Sequence, residues 1–151
     1  MDRLKKFSEM MDAFYEGSRI IHNYDKKPRK YGTDVDLYMA EMHTLDIIFN
    51  NEEITVTELA NITHKTKSAI TQLTSKLERK GMIFKVRNKD YHKEINLFLT
   101  DVGRKTCHYH KALDEANYTA ALKNVVEDYS IEDFQKAAEI FTIVTQSMKK
   151  E

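Results

Sequence analysis

The sequence predicts a mainly α-helical chain that carries one small β-hairpin. Three observations carry that expectation. Apolar residues recur at helical spacing over most of the length. Turn formers are scarce, with one Pro and four Gly in 151 residues, whereas Lys, Glu, Leu, Ala and Met, which lose little rotamer freedom in a helix, are common. A single stretch, 82–99, instead alternates with a period of two, the period of strands.

The elements follow in order. Residues 2 to about 23 place Leu4, Phe7, Met11, Phe14 or Tyr15, Ile20 and Ile21 on helical spacing. The segment 24–32 interrupts this, because Pro28 and Gly32 sit poorly inside a helix. Asp34 or Asp36 is expected to cap a second helix, about 36–49, with Leu37, Met42, Leu45, Ile48 and Phe49 inward. Thr55 and Glu58 form the S/T-x-x-E capping-box pattern of a short helix running to about Ile62. Thr66 caps the next helix, 67–80, whose inner face is Ile70, Leu73 and Leu77, and Gly81 stands where a left-handed residue closes it. In the hairpin, Met82, Phe84 and Val86 alternate with Ile83, Lys85 and Arg87, and Ile95, Leu97 and Leu99 with Asn96 and Phe98. A long helix is expected from Thr100-Asp101 to about Tyr129, and a last one from 131 to about 148, capped by Ser130 to Asp133.

Composition narrows the function classes. The length fits one ordinary domain. No apolar run approaches the ~20 residues that span a bilayer, and the N-terminus lacks the apolar core of a signal peptide. The single cysteine, Cys107, has no internal partner, so a reducing cytoplasm fits the chain best. There is no G-x-S-x-G, no phosphate-cradling glycine loop and no paired-carboxylate motif, so no catalytic residue is assigned and an enzyme is not expected. No cofactor is expected either.

Charge is unevenly spread. The formal total is 0. Over 55–93, however, nine Lys and Arg stand against three Asp and Glu, an excess of 9 − 3 = +6. A duplex responds to this local field rather than to the total. In this stretch a capped short helix, a polar turn, a second helix, a glycine stop and a basic hairpin occur in register, the order of a winged helix-turn-helix. The second helix fits a major groove. Its residues facing away from the inner row are Lys67, Ser68, Thr71, Gln72, Ser75 and Lys76, with Thr66 at the cap. Gln72 can pair bidentately with adenine and Lys67 can reach guanine, while the hydroxyls suit phosphates. The hairpin tip adds Arg87, Lys89 and Lys93 for a neighbouring groove or backbone. A solvated charged face is the bland alternative. A winged-helix module for protein interaction, without DNA binding, is the rival class, and it calls for an acidic or apolar face where lysines stand.

The same residues resemble the MarR family of bacterial transcription regulators. The likeness rests on Leu59-Ala60, Lys67-Ser68, Thr71, the run Leu77-Glu78-Arg79-Lys80-Gly81-Met82-Ile83, and Leu99-Thr100 followed by Gly103-Arg104. It implies a homodimer on a palindromic DNA operator. Residues 1–33 and 101–151 would then be mainly dimerisation helices, and 34–100 the DNA-binding lobe of a single domain. It also puts Lys67, Ser68, Thr71 and Gln72 on the recognition helix. The wing departs from the family pattern: Tyr91 and Lys93 stand where an Asp-x-Arg pair is usual, and Lys93 supplies charge without a planar fork.

The family implies a repressor answering to a small molecule. Phe14, Tyr15, Met42, His43 and Tyr109 are the candidate lining of such a pocket, with Met39 and Tyr118 as further apolar candidates. Glu41-Met42-His43-Thr44 is similar to the fatty-acid-biosynthesis repressor branch, which implies an acyl-carrier protein as effector. A metal-responsive regulator of the same fold is a further alternative, since neutral imidazole and thiolate bind zinc. But His108 and His110, two apart on a helix, diverge, and no CxxC or HxxxH motif exists, so no metal site is assigned. Cys107, inside a helix, is expected to be packing rather than a redox switch.

Overall fold

The computed structural model describes residues 2–87, 94–125 and 127–148. Its elements are α1 (Asp2–Asp25), β1 (Arg29–Lys30), β2 (Asp36–Leu37), α2 (Met39–Asn50), α3 (Val56–Thr63), α4 (Lys67–Arg79), β3 (Ile83–Arg87), β4 (Ile95–Leu99), α5 (Asp101–Leu122) and α6 (Ile131–Met148). Packing divides the chain into two compact units, one reaching His110 and one starting at Lys111.

The first unit holds the hydrophobic core: Tyr31, Leu37, Met42, Leu45, Ile48, Ile54, Leu59, Ala60, Ile70, Leu77, Met82, Ile83, Leu97, Leu99 and Cys107. Nearly every element from β2 to the start of α5 contributes, so the lobe is held by burial of side chains brought together from distant sequence. By contrast, α1 buries none of its 24 residues.

Two boundaries differ from expectation. The second helix starts at Met39, not at 36, so neither Asp34 nor Asp36 caps it. Asp36–Leu37 instead pairs antiparallel with Arg29–Lys30, and burial of Leu37 in the core pins that ribbon. The first turn is closed by Glu41, whose Oε2 accepts the Tyr38 N–H at 2.8 Å. The fifth helix ends at Leu122 rather than near Tyr129. There Asn124 and Val125 donate to carbonyls three residues back, tightening the chain out of the helix.

The hairpin pairs Ile83↔Leu99, Phe84↔Phe98, Lys85↔Leu97, Val86↔Asn96 and Arg87↔Ile95. Ile83, Leu97 and Leu99 turn inward. Phe84 and Val86 are exposed, and Phe84 stacks on Phe98 with ring centroids 5.3 Å apart. The hairpin is tied down twice. Leu97 N–H donates to Ile54 O at 2.9 Å, and Thr100 N–H donates to Met82 O at 3.0 Å. The Thr100 hydroxyl also donates to Gly81 O at 2.6 Å and accepts the Gly103 N–H at 3.0 Å, capping α5.

In the second unit, α6 buries none of its residues. Its start is a reciprocal cap: Asp133 N–H donates to Ser130 Oγ at 3.3 Å, and Asp133 Oδ2 accepts the Ser130 N–H at 3.0 Å. Those bonds hold the Asp133 carboxyl below its usual range. Among the described residues, no helix is long and apolar enough to cross a membrane.

Candidate nucleic-acid interface

The helix-turn-helix is built from local signals. Thr55 Oγ1 accepts the Glu58 N–H at 3.2 Å while Glu58 Oε2 accepts the Thr55 N–H at 2.8 Å, the full capping box. Those bonds, backbone first, hold the Glu58 carboxyl below its usual range. α3 ends at His64, left-handed at φ 52°, and Lys65 N–H closes it by donating to Ala60 O at 3.0 Å. Thr66 Oγ1 then accepts the Ala69 N–H at 3.2 Å and starts α4. Gly81, at φ 70°, ends it as expected, with Met82 N–H on Leu77 O at 3.0 Å.

The buried row of α4 is Ile70, Thr74 and Leu77, while Leu73 is only half-buried. The helix is therefore rolled slightly relative to the apolar pattern. Its outward line runs through Ser68, Gln72 and Arg79, all exposed, with Lys67 and Thr71 exposed beside them. The Thr71 hydroxyl donates to Lys67 O at 2.7 Å. Arg79 was counted among the charges in the sequence but not among the reading residues. At 100° per residue it falls on the same stripe as Ser68 and Gln72, which the spacing alone could have shown. Thr66 is exposed at the cap. Lys89 and Lys93 lie outside the described residues.

Ser75 and Lys76 sit at the edge of this face and are engaged within the lobe. Lys85 Nζ donates to Ser75 Oγ at 2.9 Å and lies 3.0 Å from Glu78 Oε2, so the hairpin braces α4 on one flank. On the other flank stands Glu41, of the Glu41–Thr44 segment on α2. It is 1% exposed. Its Oε2 accepts from Lys80 Nζ at 2.8 Å, and its Oε1 lies 3.2 Å from Lys76 Nζ, close enough to pair but too oblique for a hydrogen bond. Lys80 Nζ also donates to Asp36 O at 2.6 Å. Lys76 lies over the Tyr38 ring, 4.9 Å from its centroid. Burial works against ionisation of Glu41. The hydrogen bonds from Lys80 and the Tyr38 N–H, together with the paired Lys76 ammonium, outweigh it and hold the carboxyl below its usual range.

Beside the exposed stripe, a cleft of about 220 Å³ opens between α3, α4 and the hairpin, lined among others by Thr55, Thr57, Lys67, Thr71 and Lys85. Arg87 is exposed at the end of β3. At this concave corner hydroxyls can donate to phosphate oxygens and cations can neutralise them.

The candidate effector residues do not form one lining. Met42 is wholly buried in the core. Tyr15 is exposed and Phe14 half-buried, their rings edge-on at 5.9 Å. Tyr109 is exposed and packs on Gly32, where a Cβ would lie 2.8 Å from its ring. His43 is exposed, 6.4 Å ring to ring from His110. None of the five lines the clefts described beside Ile48 and Arg104, beside Lys67 and Thr71, or beside Asn61.

His110 is buried, with Nδ1 3.0 Å from Asp46 Oδ2 and its ring edge-on to Tyr31 at 5.2 Å. His108 packs on Phe49. Among the described residues, no three His, Cys, Asp or Glu side chains gather as metal ligands. Cys107 is buried, and burial, with the Asp46 carboxylate nearby, pushes its thiol up to about 12. A thiol so held is not a thiolate at neutral pH.

Comparison with known proteins agrees with this geometry. Residues 37–94 match the model of the MarR family. The chain is similar to the HTH-type transcriptional regulator YhjH of Bacillus subtilis, 32% identical over 82 residues, which is 54% of this chain and 47% of that protein. The match thus spans about half the length of that relative. Among solved structures, it is similar to Streptococcus pneumoniae FabT in complex with DNA, at TM-score 0.70 and 22% identity over 97% of both chains. It is also similar to the S. aureus MepR–DNA complex, at TM-score 0.71 and 22% identity over 89% of this chain and 96% of that one. Residues 37–94 thus match the MarR family model, and the chain shares the fold of these solved structures.

Proposed function

We propose that this chain is a cytoplasmic, dimeric, sequence-specific DNA-binding transcription regulator, a repressor at a palindromic operator. One observation carries the reading. The outward stripe of α4 presents Lys67, Ser68, Gln72 and Arg79 free of apolar cover, and Arg87 is exposed on the adjoining hairpin. Short donors and cations on a helix that fits the major groove can read base edges, while cations on the wing clamp the backbone. The rival reading, a protein-interaction module, wants an acidic or apolar stripe there, and this one has neither.

Dimerisation is supported by the two helices that bury nothing. On α1, Leu4, Phe7, Ile20 and Ile21 are exposed, and on α6 Ile131, Phe134, Phe141 and Ile143 are. So much apolar surface favours a second copy as cover. A monomer by sedimentation at micromolar concentration would refute this part.

The effector is a small molecule or an acyl-carrier protein. The segment Glu41–Thr44 supports the second through its resemblance. Three of its four side chains are buried, and only His43 is exposed to meet a partner. Operator affinity with and without long-chain acyl-carrier protein decides it.

The test of DNA reading is selection of bound sequences from a random duplex pool. The expected product is an inverted repeat with half-sites about 34 Å apart, or a multiple of that. On the selected duplex, Gln72→Ala should cost ~1–3 kcal/mol and relax one base position, whereas Arg87→Ala should weaken all duplexes alike and lower the salt slope by about 1. Failure to bind any duplex at low salt refutes the proposal.

A further inference from the structure

We propose that Glu41 is a positioning residue for DNA recognition: from α2 it holds Lys76 and Lys80 of the α4 end away from the duplex and so confines contact to the outward stripe. The inference rests on the DNA-binding reading and deepens it.

The geometry is specific. Lys76 and Lys80 are four apart, one turn of helix, so both reach the same side. A single carboxylate, 1% exposed, meets both. It is itself fixed, because its Oε2 also accepts the Tyr38 N–H at the start of α2. Lys80 is fixed a second time by Asp36 O, and both ammonium groups lie over the Tyr38 ring, at 4.9 and 5.8 Å. The carboxylate is held ionised by these partners. On the opposite flank Lys85 is paired with Glu78, an exposed carboxylate.

Three lysines of the basic segment are therefore partnered inside the lobe, while Lys67, Arg79 and Arg87 stand exposed. Cations that can swing toward any phosphate raise affinity for every sequence equally, since phosphate contacts carry no sequence information. Withholding two of them lowers nonspecific affinity and leaves the reading residues to decide. It also ties the tilt of α4 to the start of α2, because moving either helix alone breaks the pairing.

The experiment compares wild type with Glu41→Gln on the duplex selected from the random pool and on an unrelated duplex, across a salt series. The glutamine keeps an acceptor for the Tyr38 N–H and drops the charge. Lys76, whose side chain is 44% exposed, is then free to swing outward. The expected result is a salt slope steeper by about 0.9 on both duplexes, and an affinity for the unrelated duplex higher by about tenfold at 50 mM salt. The double variant Glu41→Gln/Lys76→Gln should return the slope to the wild-type value, which a purely structural role would not do. A folded Glu41→Gln protein with unchanged slope and unchanged affinity for the unrelated duplex overturns the proposal.

Amine acetylation of the wild-type protein gives a readout that needs no variant. Lys80, 21% exposed, should react slowly with and without duplex and Lys76 at a rate the duplex does not change, while Lys67 reacts fast and is protected by duplex. Protection of Lys76 or Lys80 by duplex overturns the proposal even if Glu41→Gln does not fold. Wild type that binds no duplex overturns the DNA-binding reading itself, and this role with it.

Discussion

Gly103→Ala is the substitution for which the fold makes its sharpest demand. Gly103 lies in the first turn of α5, buried against the root of the hairpin. A Cβ built there falls 2.0 Å from Met82 O and 3.0 Å from Met82 C, with Leu99 Cδ2 at 3.3 Å. The obstacle is backbone, so no side-chain rotation relieves it, and α5 must shift by about 1 Å to restore ordinary contact. That shift strains the Thr100 N–H to Met82 O bond and the Thr100 hydroxyl cap, each a contribution of about 1 kcal/mol. Overpacking adds ~1–3 kcal/mol. Against this stands the helix propensity of alanine over glycine, up to about 1 kcal/mol. The net expectation is a loss of roughly 2–4 kcal/mol. At about 2–4 °C per kcal/mol for a chain of this size, the thermal midpoint should fall by roughly 4–16 °C. Urea and thermal unfolding followed by circular dichroism measure it. A midpoint unchanged or raised would mean that propensity wins, and that the close approach of α5 to the hairpin root is not a constraint.

Other expectations follow from the same packing. Leu77→Ala empties a fully buried site beneath α4 and should destabilise by ~2–5 kcal/mol in urea unfolding. Cys107 should resist iodoacetamide in the native protein at pH 8 and react at once in urea, because its thiol is buried and pushed up to about 12; rapid native alkylation would contradict that. Glu41 is held below its ordinary value of 4.5 when folded. Its contribution to stability is therefore complete above that pH and is lost as the pH falls through the lowered folded value, so Glu41→Gln should flatten the acid side of a stability profile.

Much of the lobe was legible in the sequence because its signals are local. The Thr55–Glu58 box, the Thr66 cap and Gly81 act within one turn, and the structure uses each as written. What escaped was set by partners far away in sequence. Asp36–Leu37 joined a ribbon instead of capping a helix because Arg29–Lys30 lay alongside. Thr74 replaced Leu73 in the buried row of α4, a roll of the helix that apolar periodicity could not resolve. Glu41 read as an ordinary polar residue of α2, since nothing local reveals a carboxylate that two lysines 35 and 39 residues later will cover. Arg79, by contrast, shares the stripe of Ser68 and Gln72 by helical spacing alone.

The hairpin is fastened along β4 at Leu97–Ile54 and at its root at Thr100–Met82. Strand placement is thus set by anchors that do not involve Val86 or Arg87. Val86 and Arg87, exposed at the end of β3, can therefore be exchanged with the reading helix left undisturbed.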